Sequence, residues 1–336
     1  MSEAPTGGPP AEMRTWAELA RLVVGAASHA PSVHNTQPWW FSHGEQEISL
    51  HADTERRLQV ADPLGREMMI SCGAALFNVR VALRYLGFVP RVTVLPDPDL
   101  PNLLARVACG EHVPATEYER RLFAEIPLRR THRGGFQFAA LPPALLADLG
   151  QQAGLERGKL TIMTDDRERA LAAVVEAGDC ALRLDSARAQ EQARWAPGPG
   201  SHRRVGVPPT AYPALAERIE PHFSSRDFSH GQGWGFPPSD QGPDERSAGV
   251  AGVLTTAADD PADWIHAGQA LQRLLLRAST CGVAAALHSQ PLELPQLRDF
   301  IRTEVSAGAY PQMVLRFGRT SETAVSMRLP VGDILL

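Results

Sequence analysis

Apolar positions at helical spacing (Trp16, Leu19, Leu22, Val23, Ala26) predict a helix over residues 14 to 27. Pro31 is expected to end it, because proline lacks an N–H and restricts the residue before it. Alternation then takes over. Trp39 and Phe41, then Ile48 and Leu50, read as half-buried strand between Phe41 and His51, with a hairpin or short sheet edge. Residues 53 to 69 are charged and punctuated by Asp62-Pro63. From Cys72 to Phe88 the chain is apolar on nearly every face, which predicts a buried helix ending at Gly87. Strands are expected at Val92 to Leu95 and at Ala105 to Cys109. In the rest of the chain, a short helical segment precedes Ile126. Leu141 to Leu149 and Arg167 to Asp185 read as amphipathic helices flanking a strand at Leu160 to Met163. A last strand spans Pro311 to Arg319.

One helix has a second copy. Residues 267 to 283 align with 72 to 88 without a gap, matching Gly73 with Gly268, Ala75 with Ala270, Leu76 with Leu271 and Gly87 with Gly282. Each copy is followed by an apolar strand, Val92 to Leu95 and Met313 to Phe317, as two copies of one unit require. The expected division is a loose tail at 1–14, a first half at 15–115 and a second at 116–336. Between 195 and 247 periodicity vanishes and Pro, Gly, Ser and His dominate, yet Phe228, Trp234 and Phe236 are unusual for a disordered linker. That stretch reads as a lid or as an arm exchanged with a partner.

Four stretches carry candidate chemistry. Ala30-Pro-Ser-Val-His-Asn-Thr-Gln-Pro-Trp-Trp40 is dense in short polar side chains between a helix and a strand, with Pro31, Ser32, Asn35 and Gln37 foremost. Arg129-Arg130-Thr131-His132-Arg133 puts three arginines and a hydroxyl within five residues. Such clusters are often solvated turns, but guanidinium forks and a hydroxyl also suit a phosphate. Ser289 and Gln290 follow the copied helix, and Arg328 lies in Ser326-Met-Arg-Leu-Pro330.

The string A-P-S-x-x-N-x-Q-P-W resembles the flavin loop of the nitroreductase superfamily, and His34 and Thr36 resemble its Acg-like branch, in which two nitroreductase-like halves share one chain. Arg129 to Arg133 is similar to that family's R-R-S-x-R motif, and 326 to 330 to its K-x-R-x-P tail. The resemblance implies an α+β nitroreductase-like fold in which two degenerate copies form an intrachain pseudo-dimer, with 195–247 as the lid insertion. It implies FMN as cofactor and NAD(P)H as donor. Arg129, Arg130, Thr131 and Arg328 are then expected at the phosphate or ribityl chain and Arg133 near the ring, while the 31–37 loop and the amides of Ser289 and Gln290 lie against the flavin. The first half has the loop without the arginines and the second the arginines without the loop, so one complete site per chain is expected and the opposite site is dead.

Composition narrows the partners. The chain of 336 residues is 43% hydrophobic and 21% charged, with a net charge of −5, and its sequence pI is about 6.1. An acidic balance argues against nucleic acid as the main partner, and no apolar run reaches membrane-spanning length. A small-molecule substrate is expected, with a monomer or a weak homodimer as the assembly. Four cysteines (Cys72, Cys109, Cys180, Cys281) stand far apart with no C-x-x-C, as suits reduced thiols in a cytoplasmic protein. The histidines lack metal spacing, G-x-S-x-G is absent, and no carboxylate pair stands out. A chain without an evident acid or base suits chemistry performed by a cofactor. Two functions fit: a reductase passing hydride from NAD(P)H through flavin N5 to a nitroaromatic or quinone-like acceptor, or a protein that sequesters flavin beneath a closed lid.

Overall fold

The computed structural model describes residues 15–198, 200–212, 218–226, 228, 245–322 and 326–336. The expected tail at 1–14 lies outside the described residues, as do Trp234 and Phe236 of the expected lid. Helix α1 (Trp16–Ala27) opens with a capping box between Thr15 and Glu18. It stops before Pro31 is reached. The Ser28 hydroxyl donates to the Gly25 carbonyl at 2.7 Å, and that local bond turns the chain out of the helix.

Strands β1 (Trp39–His43) and β2 (Glu47–Ala52) form the expected hairpin. Helix α2 (Arg66–Tyr85) starts at Arg66 rather than Cys72, because the Asp62 carboxylate accepts from the Met68 amide at 2.8 Å and satisfies one of its first free N–H groups. Gly87, at φ 88°, makes the left-handed exit that the sequence anticipates. Strands β3 (Phe88–Val94) and β4 (Leu103–His112) follow, then α3 (Glu117–Glu125), the two-residue β5 (Thr131–His132), α4 (Pro143–Gly154), β6 (Lys159–Ile162), α5 (Asp165–Leu184) and α6 (Ser186–Arg194). Two short strands, β7 (Arg218–Glu220) and β8 (Glu245–Ser247), pair in parallel. The chain continues through β9 (Val250–Thr256), α7 (Pro261–Ser279), β10 (Ala284–His288), α8 (Pro295–Phe300) and β11 (Tyr310–Gly318).

Two larger sheets result. The first has the order β1-β2-β4-β3, and the second β5-β10-β11-β9-β6. Setting the edge strand β5 aside and reading from β6, the second sheet runs β6-β9-β11-β10, the same chain-order pattern as the first, with every neighbouring pair antiparallel. In each, the helix lies between the second and third strands in sequence. The strand directly after α7 is therefore β10, and Met313 to Phe317, expected to correspond to Val92 to Leu95, lies in β11, one strand later. Trp39, Phe41, Ile48 and Leu50 bury one face of the first sheet against α1 and α2. The second sheet is covered on both faces, by α4 and α7 around Leu254 and Leu315 and by α5 around Val253 and Val314.

Helices α2 and α7 cross at two glycines. A Cβ on Gly73 would stand 2.2 Å from the Ile265 carbonyl oxygen, and one on Gly268 would stand 2.0 Å from that of Ile70. Only a residue without a side chain permits backbones this close. Beside the crossing the Gln272 amide donates to Asn78 Oδ1 at 2.7 Å, and Asn78 donates to the Ala26 carbonyl at 3.0 Å, which ties α1 into the same junction.

Candidate functional site

A pocket with about 850 Å3 of atom-free space, its open mouth included, lies where α2, α7 and the ends of β5 and β10 meet. That is within the range of small-molecule sites. Each element brings its part for a local reason. Pairing of Thr131 and His132 with Ala285 and Ala286 sets β5 parallel to β10, so Thr131 and Arg133 stand beside Ser289 and Gln290. The loop after α1 closes the opposite wall with Pro31, Ser32 and His34.

That loop is held in an uncommon conformation. His34, Asn35 and Gln37 have φ values of 46°, 52° and 50°, in the left-handed region that costs non-glycine residues free energy. Hydrogen bonds maintain it: the Val33 amide donates to Ser71 Oγ at 3.1 Å and the Gln37 amide to Ser32 Oγ at 3.0 Å. Asn35 and Gln37 do not line the pocket. The Asn35 amide donates to the carbonyls of Gly206 and Met327, and Gln37 donates to the Arg204 carbonyl while accepting from the Leu329 amide. Both side chains stitch the loop to the 204–206 segment and to the C-terminal tail.

The tail returns a cation to the loop, although neither Arg328 nor Arg129 lines the pocket. Leu335 bridges to Phe41 beside β1, and the tail's path sets Arg328 next to the loop, donating to Asn35 Oδ1 at 2.8 Å and to the His29 carbonyl at 3.2 Å. Arg129 donates to the same His29 carbonyl at 3.2 Å. Arg129 is buried and Arg328 half-buried, and Arg129 Nε and Nη1 and Arg328 Nε are buried atoms with no partner. Neither arginine forms an ion pair among the described residues. Burial first, then the neighbouring arginines, lowers each to about 9. The same guanidiniums, after burial, hold the His29 imidazole down to about 4. Arg130, half-buried, donates to the Arg129 carbonyl and faces a neighbouring surface cleft with Arg129.

Other residues complete the pocket, among them Glu67, Arg226 and Arg316, which the sequence did not single out. His34 is buried, its two ring nitrogens are unpartnered, and its ring meets Phe228 edge-on at 5.0 Å. Burial and then Arg226 and Arg133 push its pKa well below the usual value, so it is a neutral imidazole with one donor and one acceptor free. Arg316 is fully buried, donating to His288 Nε2 at 2.9 Å and to the carbonyls of Ala248 and Gly134. Glu67 on α2 and Arg226 also reach the wall. Arg226 bonds Glu293 and Ser289, and Gln290 donates to the Ser224 carbonyl at 3.3 Å. Val207, Tyr212 and Phe228, from the stretch expected to be a lid, form part of the pocket's lining. Arg133 stands over the Tyr212 ring at 5.5 Å. Among the described residues no helix is long and apolar enough to cross a membrane, and no cluster of His, Cys, Asp or Glu could hold a metal ion.

The fold is that of the nitroreductases. The crystal structure of a "putative nitroreductase" from Anabaena variabilis superposes with a TM-score of 0.52 at 11% identity, over 90% of this chain and 88% of that one. No family model matches the chain. It is 34% identical over 333 residues, 95% of its length and 91% of the relative's, to "Putative NAD(P)H nitroreductase Rv3131" of Mycobacterium tuberculosis. It is also 29% identical over 327 residues to "Putative NAD(P)H nitroreductase acg" of the same organism, covering 94% of this chain and 95% of that one. The chain belongs to this NAD(P)H nitroreductase family, in its Acg-like branch.

Proposed function

We propose that the chain is an FMN-dependent oxidoreductase that accepts hydride from NAD(P)H and delivers it to a flat, electron-poor acceptor such as a nitroaromatic or a quinone. The observation that carries this reading is the pair of guanidiniums of Arg129 and Arg328, with three buried nitrogens that donate to no protein acceptor. Unmade bonds to buried charged groups are costly, and an anion with several acceptor oxygens is what satisfies them. A flavin phosphate fits that donor set. Arg129, Arg328 and the Thr131 hydroxyl would hold the phosphate and ribityl end, with Arg130 adding charge. Arg133, half-buried on the pocket wall, would face the ring. Pro31, Ser32 and the amides of Ser289 and Gln290 would flank the ring, with Asn35 and Gln37 supporting the loop from behind. Bound FMN supplies the hydride chemistry, and the chain's residues supply position, charge and exclusion of water. The names of the relatives support the donor assignment.

The repeated strand order and the glycine crossing support a further part of the reading: two degenerate halves, 15–115 and 116–336, arranged as an intrachain pseudo-dimer with one site. A second function, flavin sequestration, is favoured by one observation: Val207, Tyr212 and Phe228 are part of the pocket's lining. The test is direct. Purified protein should bind one FMN per chain, measured by flavin absorbance after denaturation, and should bleach anaerobically with NAD(P)H and recover its colour with a quinone. Bound flavin that NAD(P)H leaves yellow would favour sequestration, and failure to bind FMN would overturn both readings.

A further inference from the structure

Glu67 occupies an unusual place. It stands in the first turn of α2 with 4% of its surface exposed. It lines the proposed flavin pocket, and it also lines a second cavity bounded by Asp62, Arg66, Trp264, Glu293, Arg298 and Tyr310. Its carboxyl therefore stands between two chambers. Charged groups face it from every side: Arg66 from its own helix at 3.0 Å, Asp62 from the preceding turn, Glu293 from the turn after β10, and Arg226 from the segment following β7. Glu293 is bound in turn by Arg226 and Arg188, and it accepts from the Ser289 hydroxyl at 3.1 Å. His288, Arg316 and Arg133 share the pocket wall, and Arg298 pairs with Asp259 across the outer cavity. Arg66 and the start of α2 favour the ionised carboxylate. Burial, joined by the nearby charges of Glu293 and Asp62, outweighs them and raises the acid to about 8. A buried acid that remains protonated at neutral pH can donate a proton.

We propose that Glu67 is the proton donor to the acceptor, relaying protons from the outer cavity to the flavin pocket. The proposal rests on the oxidoreductase reading. A quinone becomes a quinol by gaining one hydride and one proton. The hydride originates on the nicotinamide donor. The proton comes from the Glu67 carboxyl as its O–H bond breaks and an O–H bond forms on the acceptor. The carboxylate left behind takes a proton from water in the outer cavity and returns to its starting state. Ser289 and Arg226, both bonded to Glu293, hold that second carboxylate in place beside the relay.

The test uses the holoprotein and two acceptors. Ferricyanide takes an electron and no proton, whereas benzoquinone takes both. Glu67→Gln keeps the shape of the side chain and removes its acidity. The variant should bind FMN and be reduced by NAD(P)H as wild type is, and it should pass electrons to ferricyanide at the wild-type rate. Its reoxidation by benzoquinone should slow by about 100-fold, the lower part of the range that a positioned acid contributes. In wild type, benzoquinone reoxidation should decline as pH rises through 8 while ferricyanide reoxidation stays level, and Glu67→Asp should restore part of the quinone rate. An independent readout needs no turnover. In flavin-free protein at neutral pH, infrared spectra should show a protonated carboxyl band that Glu67→Gln removes. If the variant matches wild type with both acceptors, or the band is missing from wild type, the relay is wrong while the oxidoreductase reading stands. If wild type reduces neither acceptor, both fail. Equal slowing with the two acceptors would mean a structural role and would also overturn the relay.

Discussion

At the scale of single residues, the proposed reading makes Arg129 and Arg328 the groups that receive the flavin phosphate. Two cations whose pKa values are lowered by burial and by neighbouring arginines, with three guanidinium nitrogens unpartnered, are a strain on the free protein. Arg129→Ala and Arg328→Ala should each weaken FMN binding by roughly 1.5–3 kcal/mol, the range for a hydrogen bond to a charged group. Riboflavin, which lacks the phosphate, should bind both variants as it binds wild type. The flavin-free variants should melt no lower than wild type, since each relieves like-charge repulsion. Fluorescence titration with the two flavins and thermal melts check this, and equal losses for FMN and riboflavin would remove the phosphate assignment. These arginines were singled out because 129 to 133 and 326 to 330 resemble two family motifs, and the first also places a hydroxyl among its cations. Glu67 and Arg316 were not, because each is an ordinary residue in its local sequence and gains its chemistry only from burial by distant elements. Asn35 and Gln37 show the converse: their polarity was legible, but their partners are main-chain carbonyls, an amide and the Arg328 guanidinium, some 170 to 290 residues away.

Between elements, the crossing of α2 and α7 decides whether a pocket exists, since Glu67, Ile70 and Ser71 come from one helix and Leu271 from the other. The gapless match of residues 72 to 88 with 267 to 283 made both helices and their paired glycines legible, but the contact itself belongs to tertiary structure. Gly73→Ala would set a methyl 2.2 Å from a backbone oxygen that no rotamer change can clear. Overpacking usually costs about 1–3 kcal/mol, and a backbone clash should reach at least the upper end. Gly150→Ala, in open space on α4, is the control. Urea unfolding should show a large loss for the first and little change for the second, and comparable midpoints would mean that the helices can separate cheaply. Strand β9 went unpredicted for a physical reason. Val250-Ala-Gly-Val-Leu-Thr-Thr256 is central in its sheet and buried nearly throughout, so it lacks the alternation that marks a half-exposed strand.

At the scale of the molecule, a pseudo-dimer with one site needs the opposite site to be closed. The offset of 195 residues between the helix copies carries Glu67, Ile70 and Ser71 onto Ala262, Ile265 and His266. At His266 the surroundings are charged, with Glu156, Arg157, Asp263 and Arg80 near it. Glu156, buried, holds Arg80 at 2.6 Å and Arg273 at 3.1 Å, and both guanidiniums lie against the Phe77 ring. On the proposed pseudo-symmetry this ion-pair network lies beside the place of a second site, and separating its partners would strand a buried charge. In the proposed reading, access to the pocket is controlled by the stretch that contributes Val207, Tyr212 and Phe228 to its lining. The Phe228 ring meets His34 edge-on and packs with Val207 and Ala211, so Phe228→Ala should loosen the cover without touching the arginines that would hold the phosphate. FMN affinity should be kept and stopped-flow bleaching by dithionite should accelerate, because a gate that opens more often admits reductant more often. The two functions then separate. In a working reductase the wild type already turns over with NAD(P)H and quinone, and the substitution mainly changes KM. In a sequestering protein only the substituted form turns over. Identical bleaching rates in the two proteins would show that this segment does not control entry.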